Sequence, residues 1–181
     1  MIFKLITTAL LLPVFFSFST KNSGSEIPWN ASRRLNWSDF KSRPDNNSSN
    51  AALTSSKITF NYGYGSEKGF NYIITCVFDK NNSWGKVKTD YILSHEQGHF
   101  DIAEIYTRKL YKTIKAYSFN EKTVAKDVPV IYQKIMQEES DAQKQYDSET
   151  NYSRDKEQQA AWLEKIQREL DALKAYANYH S

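Results

Sequence analysis

The sequence has few of the residues that form disulfides or favour tight turns, with one cysteine, four prolines and six glycines in 181 residues. Because Cys76 is alone, an internal disulfide is excluded, and the fold must depend on a packed core. Cys76 lies in an alternating apolar segment, which predicts a small buried hydrophobic residue rather than a nucleophile or a zinc ligand. No dense basic block accompanies the net charge of +3, so nothing indicates nucleic acid as a partner.

Long apolar runs are also missing after the first 20 residues. Before that point, Lys4 is followed by an apolar run from Leu5 to Phe18, which is short for a membrane span. This pattern predicts a signal peptide over residues 1–20, and no cysteine stands directly after the apolar run to take a lipid. We therefore expect a secreted or periplasmic protein without a transmembrane span after signal removal, with polar residues 21–28 as a mobile lead-in.

The length, with 40% hydrophobic and 14% aromatic residues, fits one domain with a sizeable core, which we place at residues 29–181. The aromatic residues between 29 and 44 indicate a short strand or turn that covers this core. Apolar and polar residues then alternate over residues 58–62 and again over 70–78, on either side of a glycine-bearing turn. This alternation predicts an antiparallel hairpin.

The second half of the domain has the period of helices. The first is expected from a cap at Thr89 or Asp90 to about residue 118, with one inward face that includes both histidines of the segment. A second helix should begin near residue 127, with Pro129 in its first turn. A third should run from residue 154 to about 177, capped by Ser153. We expect Gln158 and Gln159 on its solvated face. The fold class is therefore α+β, with a small antiparallel sheet packed on three helices and the first helix central.

The segment His95-Glu96-Gln97-Gly98-His99 carries the clearest chemical pattern of the chain. Two histidines four residues apart lie about 40° apart around a helix, so both imidazoles can reach one metal ion. Glu96 would then lie beside the metal rather than on it. This is the arrangement of zinc hydrolases, in which Zn²⁺ lowers the pKa of a bound water and a glutamate takes its proton.

A zinc site of this kind needs a third protein ligand and an open position for water. Asp101 and Glu104 are near in sequence, but their helical phases point them away from the histidines. His180 lies one residue from the end of the chain, where a tail residue is the simpler interpretation.

Helix geometry narrows the search for that ligand. A second helix that turns near residue 120 returns to the level of the motif at about residues 143–149, since equal numbers of residues rise equal distances. Asp147 and Glu149 have the right height, and Asp147 is expected just after the helix end. Glu139 has the better phase, so the geometry leaves the three carboxylates open.

Several runs of the sequence resemble the bacterial family known as domain of unknown function 922. They are RLNWSDF at 34–40, the pair Ser83-Trp84, HEQGHFDIAEIYTRKL at 95–110, YDSETNYS at 146–153, and Gln159 with Trp162. The family is regarded as secreted, zinc-dependent proteases with a zincin-like core. The resemblance therefore implies that fold, that activity and a zinc cofactor for nearly all of the mature chain.

The family pattern near the second motif is similar to Tyr-Asp-x-x-Thr-x-His-Gly. It is matched at Tyr146, Asp147 and Thr150, whereas Tyr152 and Ser153 replace the histidine and glycine. Through the resemblance we favour Asp147 as the third ligand, with Glu139 second and Glu149 or Tyr152 as further alternatives. A phenol donates hydrogen bonds well, so Tyr152 is assigned the stabilisation of an oxyanion.

Together these observations predict an exported zinc metallopeptidase that hydrolyses a peptide or protein substrate, with Glu96 as general base. Two alternatives remain at this stage. One is a non-catalytic module that binds an envelope partner, with a structural metal or none. The other is a zinc hydrolase that acts on a cell-wall amide.

Overall fold

The computed structural model describes residues 24–65 and 69–179. Within them the chain is a mixed α+β fold with three α-helices and small antiparallel sheets, which confirms the predicted class. The elements in chain order are β1 (Glu26–Pro28), a 3₁₀ turn (Trp37–Asp39), β2 (Ala52–Leu53), β3 (Ser56–Gly65), β4 (Gly69–Asp79), β5 (Trp84–Gly85), α1 (Asp90–Ala116), α2 (Val124–Glu149), α3 (Lys156–Ala172) and a second 3₁₀ turn (Lys174–Tyr176).

The hairpin predicted from the alternation is present as β3 and β4, which pair antiparallel over their full length, with Phe60 opposite Ile74. β1 pairs with the other edge of β4, so the sheet order is β1-β4-β3. A separate pair, β2 with β5, lies apart from this sheet. Cys76 on β4 is fully buried, as predicted.

The prediction of a mobile lead-in was wrong for residues 26–28, which form β1. Ile27 lies opposite Phe78 of β4 and is buried in the core. The physical reason is the edge of β4, whose backbone groups need a partner and receive one from this short strand. The predicted signal peptide lies outside the described residues, as does His180.

Helix α1 begins where its cap was predicted. The Thr89 hydroxyl accepts a hydrogen bond from the Ile92 N–H at 3.2 Å, and Asp90 places acidic charge in the first turn. The single inward face was wrong, because residues on every side of the helix from 95 to 105 are buried, including Gln97 and Asp101. The sheet packs on one side of α1 while α2 and α3 pack on others, so the helix is central.

Helix α2 differs from its predicted bounds at both ends. It begins at Val124, about one turn early, so Pro129 is the sixth residue of the helix and lies past the first turn, where it was predicted. At this position proline removes one intrahelical hydrogen bond, the one that an N–H would donate to the Ala125 carbonyl. It continues to Glu149, which places Asp147 in its last turn rather than after its end.

Helix α3 is shorter than predicted and has a different cap. Asp155, not Ser153, accepts the capping hydrogen bond from the Gln158 N–H, at 3.0 Å. Gln159, expected on the solvated face, is instead buried against α1, where its amide donates to the Tyr91 carbonyl at 3.2 Å and to the Ser94 hydroxyl at 3.1 Å. Gln159 precedes Trp162 by three residues and Ile166 by seven, so it lies on the same inward face of α3 as these two residues. None of the helices in residues 24–65 and 69–179 combines the length and apolar character needed to cross a membrane.

The segment between β1 and β2 is fastened to α1 by buried polar groups. The Leu35 N–H donates to the Gln97 side-chain oxygen at 2.8 Å, and Asp101 accepts from the Trp29 indole at 2.8 Å and from Arg34 at 2.9 Å. These contacts account for the inward Gln97 and Asp101, since buried polar side chains need partners. They attach the first part of the domain to the helix that carries the histidines.

Candidate metal centre

The histidines of α1 meet the last turns of α2 at the base of an open cleft of about 400 Å³. The cleft is lined by the chain from Asn50 to Ser56, which includes β2, and by Tyr152 and Ser153 from the turn after α2. The side chains at the base and end of the cleft are His95, Glu96, His99, Glu139, Gln143 and Asp147. The antiparallel packing of α1 and α2 therefore brings together residues about 50 positions apart in sequence.

Three donor atoms lie at nearly equal distances from one another. His95 Nε2 and His99 Nε2 are 3.2 Å apart, and Asp147 Oδ1 lies 3.2 Å from the first and 3.1 Å from the second. Asp147 thus occupies the position predicted for the third ligand. These three side chains form a group that could hold a metal ion.

Protons alone do not satisfy this arrangement. If both imidazoles donate to Asp147 Oδ1, their own contact at 3.2 Å joins two donors, which is repulsive. A cation between the three atoms satisfies all the contacts at once. In a tetrahedral zinc site with bonds of about 2.0–2.1 Å, neighbouring ligand atoms lie roughly 3.3 Å apart, close to the spacing found here. The residues present therefore fit a zinc ion.

The charges at the centre depend on one another. Burial by itself would raise the pKa of the Asp147 carboxyl, but the close contacts with His95 and His99 hold that pKa well below its usual range. Burial would lower the pKa of His99, whereas the contact with Asp147 and the charge of Glu96 raise it. Asp147 is thus an ionised carboxylate between two imidazoles, the charge state in which it binds metals.

Glu96 is buried beside these groups, with 3% of its surface exposed. Burial raises the pKa of its carboxyl, and Oε2 has no hydrogen-bond partner among the described residues. Its backbone carbonyl accepts a hydrogen bond from the Thr54 hydroxyl at 3.1 Å, which fastens the wall of the cleft to α1. A buried carboxylate that lines a cleft and has one oxygen without a partner is a candidate for proton transfer.

Tyr152 also lines the cleft, from an unusual turn after α2. Asn151, Tyr152 and Ser153 all have positive φ, at 47°, 53° and 66°, a region that non-glycine residues enter at a cost of roughly 1 kcal/mol each. The turn is held by the Tyr152 N–H, which donates to the Asp147 carbonyl at 2.8 Å, and by the Asp155 N–H, which donates to the Thr150 carbonyl at 2.9 Å. The Tyr152 side chain is 47% exposed, so it is open to a molecule in the cleft.

The arrangement lies within a stretch that matches a family of bacterial proteins. The family described as "Bacterial protein of unknown function (DUF922)" matches residues 20–156. The chain belongs to this family. Comparisons with curated proteins and with solved structures gave no match. The DUF922 match includes every residue that lines the cleft and ends as α3 begins.

The other carboxylates considered from sequence are placed differently in this DUF922 chain. Glu139 lines the cleft but accepts a hydrogen bond from Gln143 at 2.7 Å. Glu149 does not line the cleft, because its carboxylate accepts from the Trp162 indole and from Gln145, each at 2.7 Å. Asp101 points away from the histidines, as predicted.

Glu104 also points away from the histidines, and its partners lie in the core. Its carboxylate accepts from Arg108 at 2.7 Å and from Tyr179 at 2.6 Å. This pairing uses both carboxylate oxygens, so Glu104 has a structural role.

Sequence reasoning missed three residues that shape the centre. Tyr146 stacks on His95 with ring centroids 4.5 Å apart, and Gly98 leaves room for that ring. Gln143 contacts His99 from α2. A signal existed for two of them: a glycine inside a helix often marks a close approach of another group, and Gln143 precedes Asp147 by one helical turn.

Proposed function

We propose that this member of DUF922 is an exported zinc-dependent peptidase with a zincin-like core, in which His95, His99 and Asp147 hold the metal. The observation that carries the proposal is the trio of donor atoms 3.1–3.2 Å apart beside the buried carboxylate of Glu96. Two imidazole nitrogens and one carboxylate oxygen are a ligand set of catalytic zinc sites, which keep a further position open. The adjoining cleft supplies the space for that position.

When bound, zinc would polarise the scissile carbonyl and lower the pKa of a water molecule. Glu96 would accept the proton of that water and deliver it to the leaving amine. Burial raises the pKa of Glu96 and so makes its carboxylate a stronger base than an exposed one. Tyr152, which is exposed and lines the same cleft, would donate a hydrogen bond to the developing oxyanion.

The shape of the cleft supports a peptide as the substrate. The chain from Asn50 to Ser56 that lines it includes the short strand β2, and it runs beside Glu96, whose carbonyl accepts a hydrogen bond from Thr54. Extended backbone of this kind can pair with an extended substrate through main-chain hydrogen bonds. The apolar run at residues 5–18 supports export as the route to that substrate.

The test combines metal analysis with a peptide library. The purified chain should hold one zinc per molecule and cleave peptides, and Glu96→Gln should keep the zinc while losing hydrolysis. Glu164→Gln is the matched control, since Glu164 is exposed on α3. Peptide cleavage by Glu96→Gln at the wild-type rate would contradict the role of Glu96 as general base. Zinc binding without peptide cleavage would favour a zinc hydrolase that acts on a cell-wall amide. The absence of zinc binding would favour a non-catalytic binding module.

A further inference from the structure

Gln143 makes three hydrogen bonds that together fix the orientation of its amide. Its Nε2 lies 3.0 Å from the His99 carbonyl and 2.7 Å from the Glu139 carboxylate. Both of these partners are acceptors, so the atom between them must be the NH₂ group of the amide. The amide oxygen is therefore the atom that lies 2.6 Å from His99 Nδ1.

This orientation determines which nitrogen of His99 carries a proton toward α2. An amide oxygen only accepts, so His99 Nδ1 must donate to it. The other ring nitrogen, Nε2, is the one that meets Asp147 and His95 in the candidate metal centre. An imidazole protonated on Nδ1 can offer the lone pair of Nε2 to a metal.

We propose that Gln143, oriented by Glu139, is a positioning residue that keeps the proton of His99 on Nδ1 and presents Nε2 to the metal. The inference rests on the proposed metal site, but it concerns Gln143, to which no role had been assigned, and gives Glu139 a role other than that of an alternative ligand. Glu139, Gln143 and Asp147 occupy successive turns of one face of α2. One face of α2 therefore supplies the proposed metal ligand Asp147, the side chain of Gln143 that orients His99, and the carboxylate of Glu139 that orients Gln143.

The two histidines are held in different ways. Nδ1 of His95 is buried and has no hydrogen-bond partner in the part of the chain that the structure describes. The His95 ring is instead placed by stacking on Tyr146, with the planes 21° apart. Stacking sets the plane of an imidazole but does not choose its protonated nitrogen. Of the two, His99 is thus the ligand whose proton position is set by a side chain of the described residues.

The first experiment measures zinc affinity on the full chain by competition with a chromogenic chelator. Gln143→Leu, which keeps the bulk of the side chain but none of its hydrogen bonds, should weaken zinc binding about 10–100-fold, the usual effect of losing a partner behind a metal ligand. Gln137→Leu is the matched control, because Gln137 is exposed on the same helix and donates to Asp141, away from the candidate metal centre. It should bind zinc as the wild type does. Equal affinity in Gln143→Leu and Gln137→Leu would overturn the proposal.

The second experiment reads the proton directly, without metal and without activity. In ¹H–¹⁵N spectra of the imidazoles, the metal-free wild type should show a His99 Nδ1–H signal protected from solvent exchange, and Gln143→Leu should lose that protection. Absence of a protected Nδ1–H in the wild type would overturn the proposal even if Gln143→Leu failed to fold. If the wild type binds no zinc but shows the protected proton, the proposed function fails while the role of Gln143 in placing the proton stands.

Discussion

The ring of Tyr146 occupies the space that a side chain at Gly98 would need. A Cβ added to Gly98 would lie 2.5 Å from the Tyr146 hydroxyl oxygen and 2.8 Å from the ring carbon that bears it. The same hydroxyl donates to the His95 carbonyl at 3.3 Å, and the ring stacks on His95. The glycine between the two histidines thus allows α2 to approach α1 closely enough for Asp147 to reach them.

Replacing Gly98 with alanine should therefore disturb both stability and metal binding. Because Tyr146 is fully buried, its ring has little room to move, and overpacking of this kind costs about 1–3 kcal/mol. Chemical denaturation should give the loss in the free energy of unfolding, and chelator competition the loss in zinc affinity. Gly63→Ala is the control, since nothing lies within 4 Å of a Cβ placed there. Similar behaviour of the two variants would contradict the close-approach explanation.

Asp147 should be the carboxylate on which zinc binding depends. Asp147→Asn removes the charge of the ligand and leaves a weaker amide oxygen, so we expect zinc affinity to fall by more than about 100-fold, beyond the effect typical of a residue behind the ligands. Asp141→Asn, on an exposed position of the same helix, should leave affinity unchanged. Competition titrations of both variants decide the matter. A Glu139→Gln variant with the greater loss would instead identify Glu139 as the ligand.

Tyr152 should affect the rate of hydrolysis more than the binding of substrate. If its hydroxyl meets the oxyanion only as the transition state forms, Tyr152→Phe should lower kcat about 10–1000-fold while KM changes little. Tyr64→Phe is a suitable control because Tyr64 is about as exposed and lies on β3, outside the cleft lining. Steady-state kinetics on a cleaved peptide give both constants. An unchanged kcat would remove Tyr152 from the mechanism.

Asp39 should make the stability of the domain depend on acid pH. Burial would raise the pKa of its carboxyl, but hydrogen bonds from the Arg33 guanidinium and the Asn36 N–H lower it below the usual value. A lowered pKa in the folded state gives stability that is present above the ordinary aspartate pKa, about 3.9, and lost as the pH falls through the folded value.

Asp39→Ala should therefore cost about 1–2 kcal/mol of unfolding free energy at neutral pH, since the variant loses the capping box and the bonds from the half-exposed Arg33. The difference from the wild type should shrink as the pH falls below about 4. Urea denaturation at several pH values measures it, with Asp45→Ala as an exposed control. A difference independent of pH would show that the ionised carboxyl is not the cause.

Local sequence patterns correctly predicted the structural features that depend on residues close together in the sequence. The alternation around Phe60 and Ile74 predicted the hairpin, and Thr89 predicted the start of α1, because strand pleat and helix capping involve residues only a few positions apart. The placement of Gln159 and of the cap of α3 failed. Gln159 shares the helical phase of Trp162 and Ile166, so its polar side chain misled the prediction although its position in the helix pointed inward. The true start of α3 depended on the left-handed turn at 151–153, which side-chain propensities do not favour.

The sequence by itself determined the α+β class, the two histidines and the glutamate of the HEQGH segment, and a short set of carboxylates that could complete their site. Each of these follows from the period of a helix or strand, which is a local property. Only the tertiary structure decided that Asp147 reaches the histidines, that Gln143 contacts His99, and that Gly98 admits Tyr146. These relationships join α1 to α2 across more than 40 residues, and they depend on the distance and rotation between two packed helices, which no local pattern specifies.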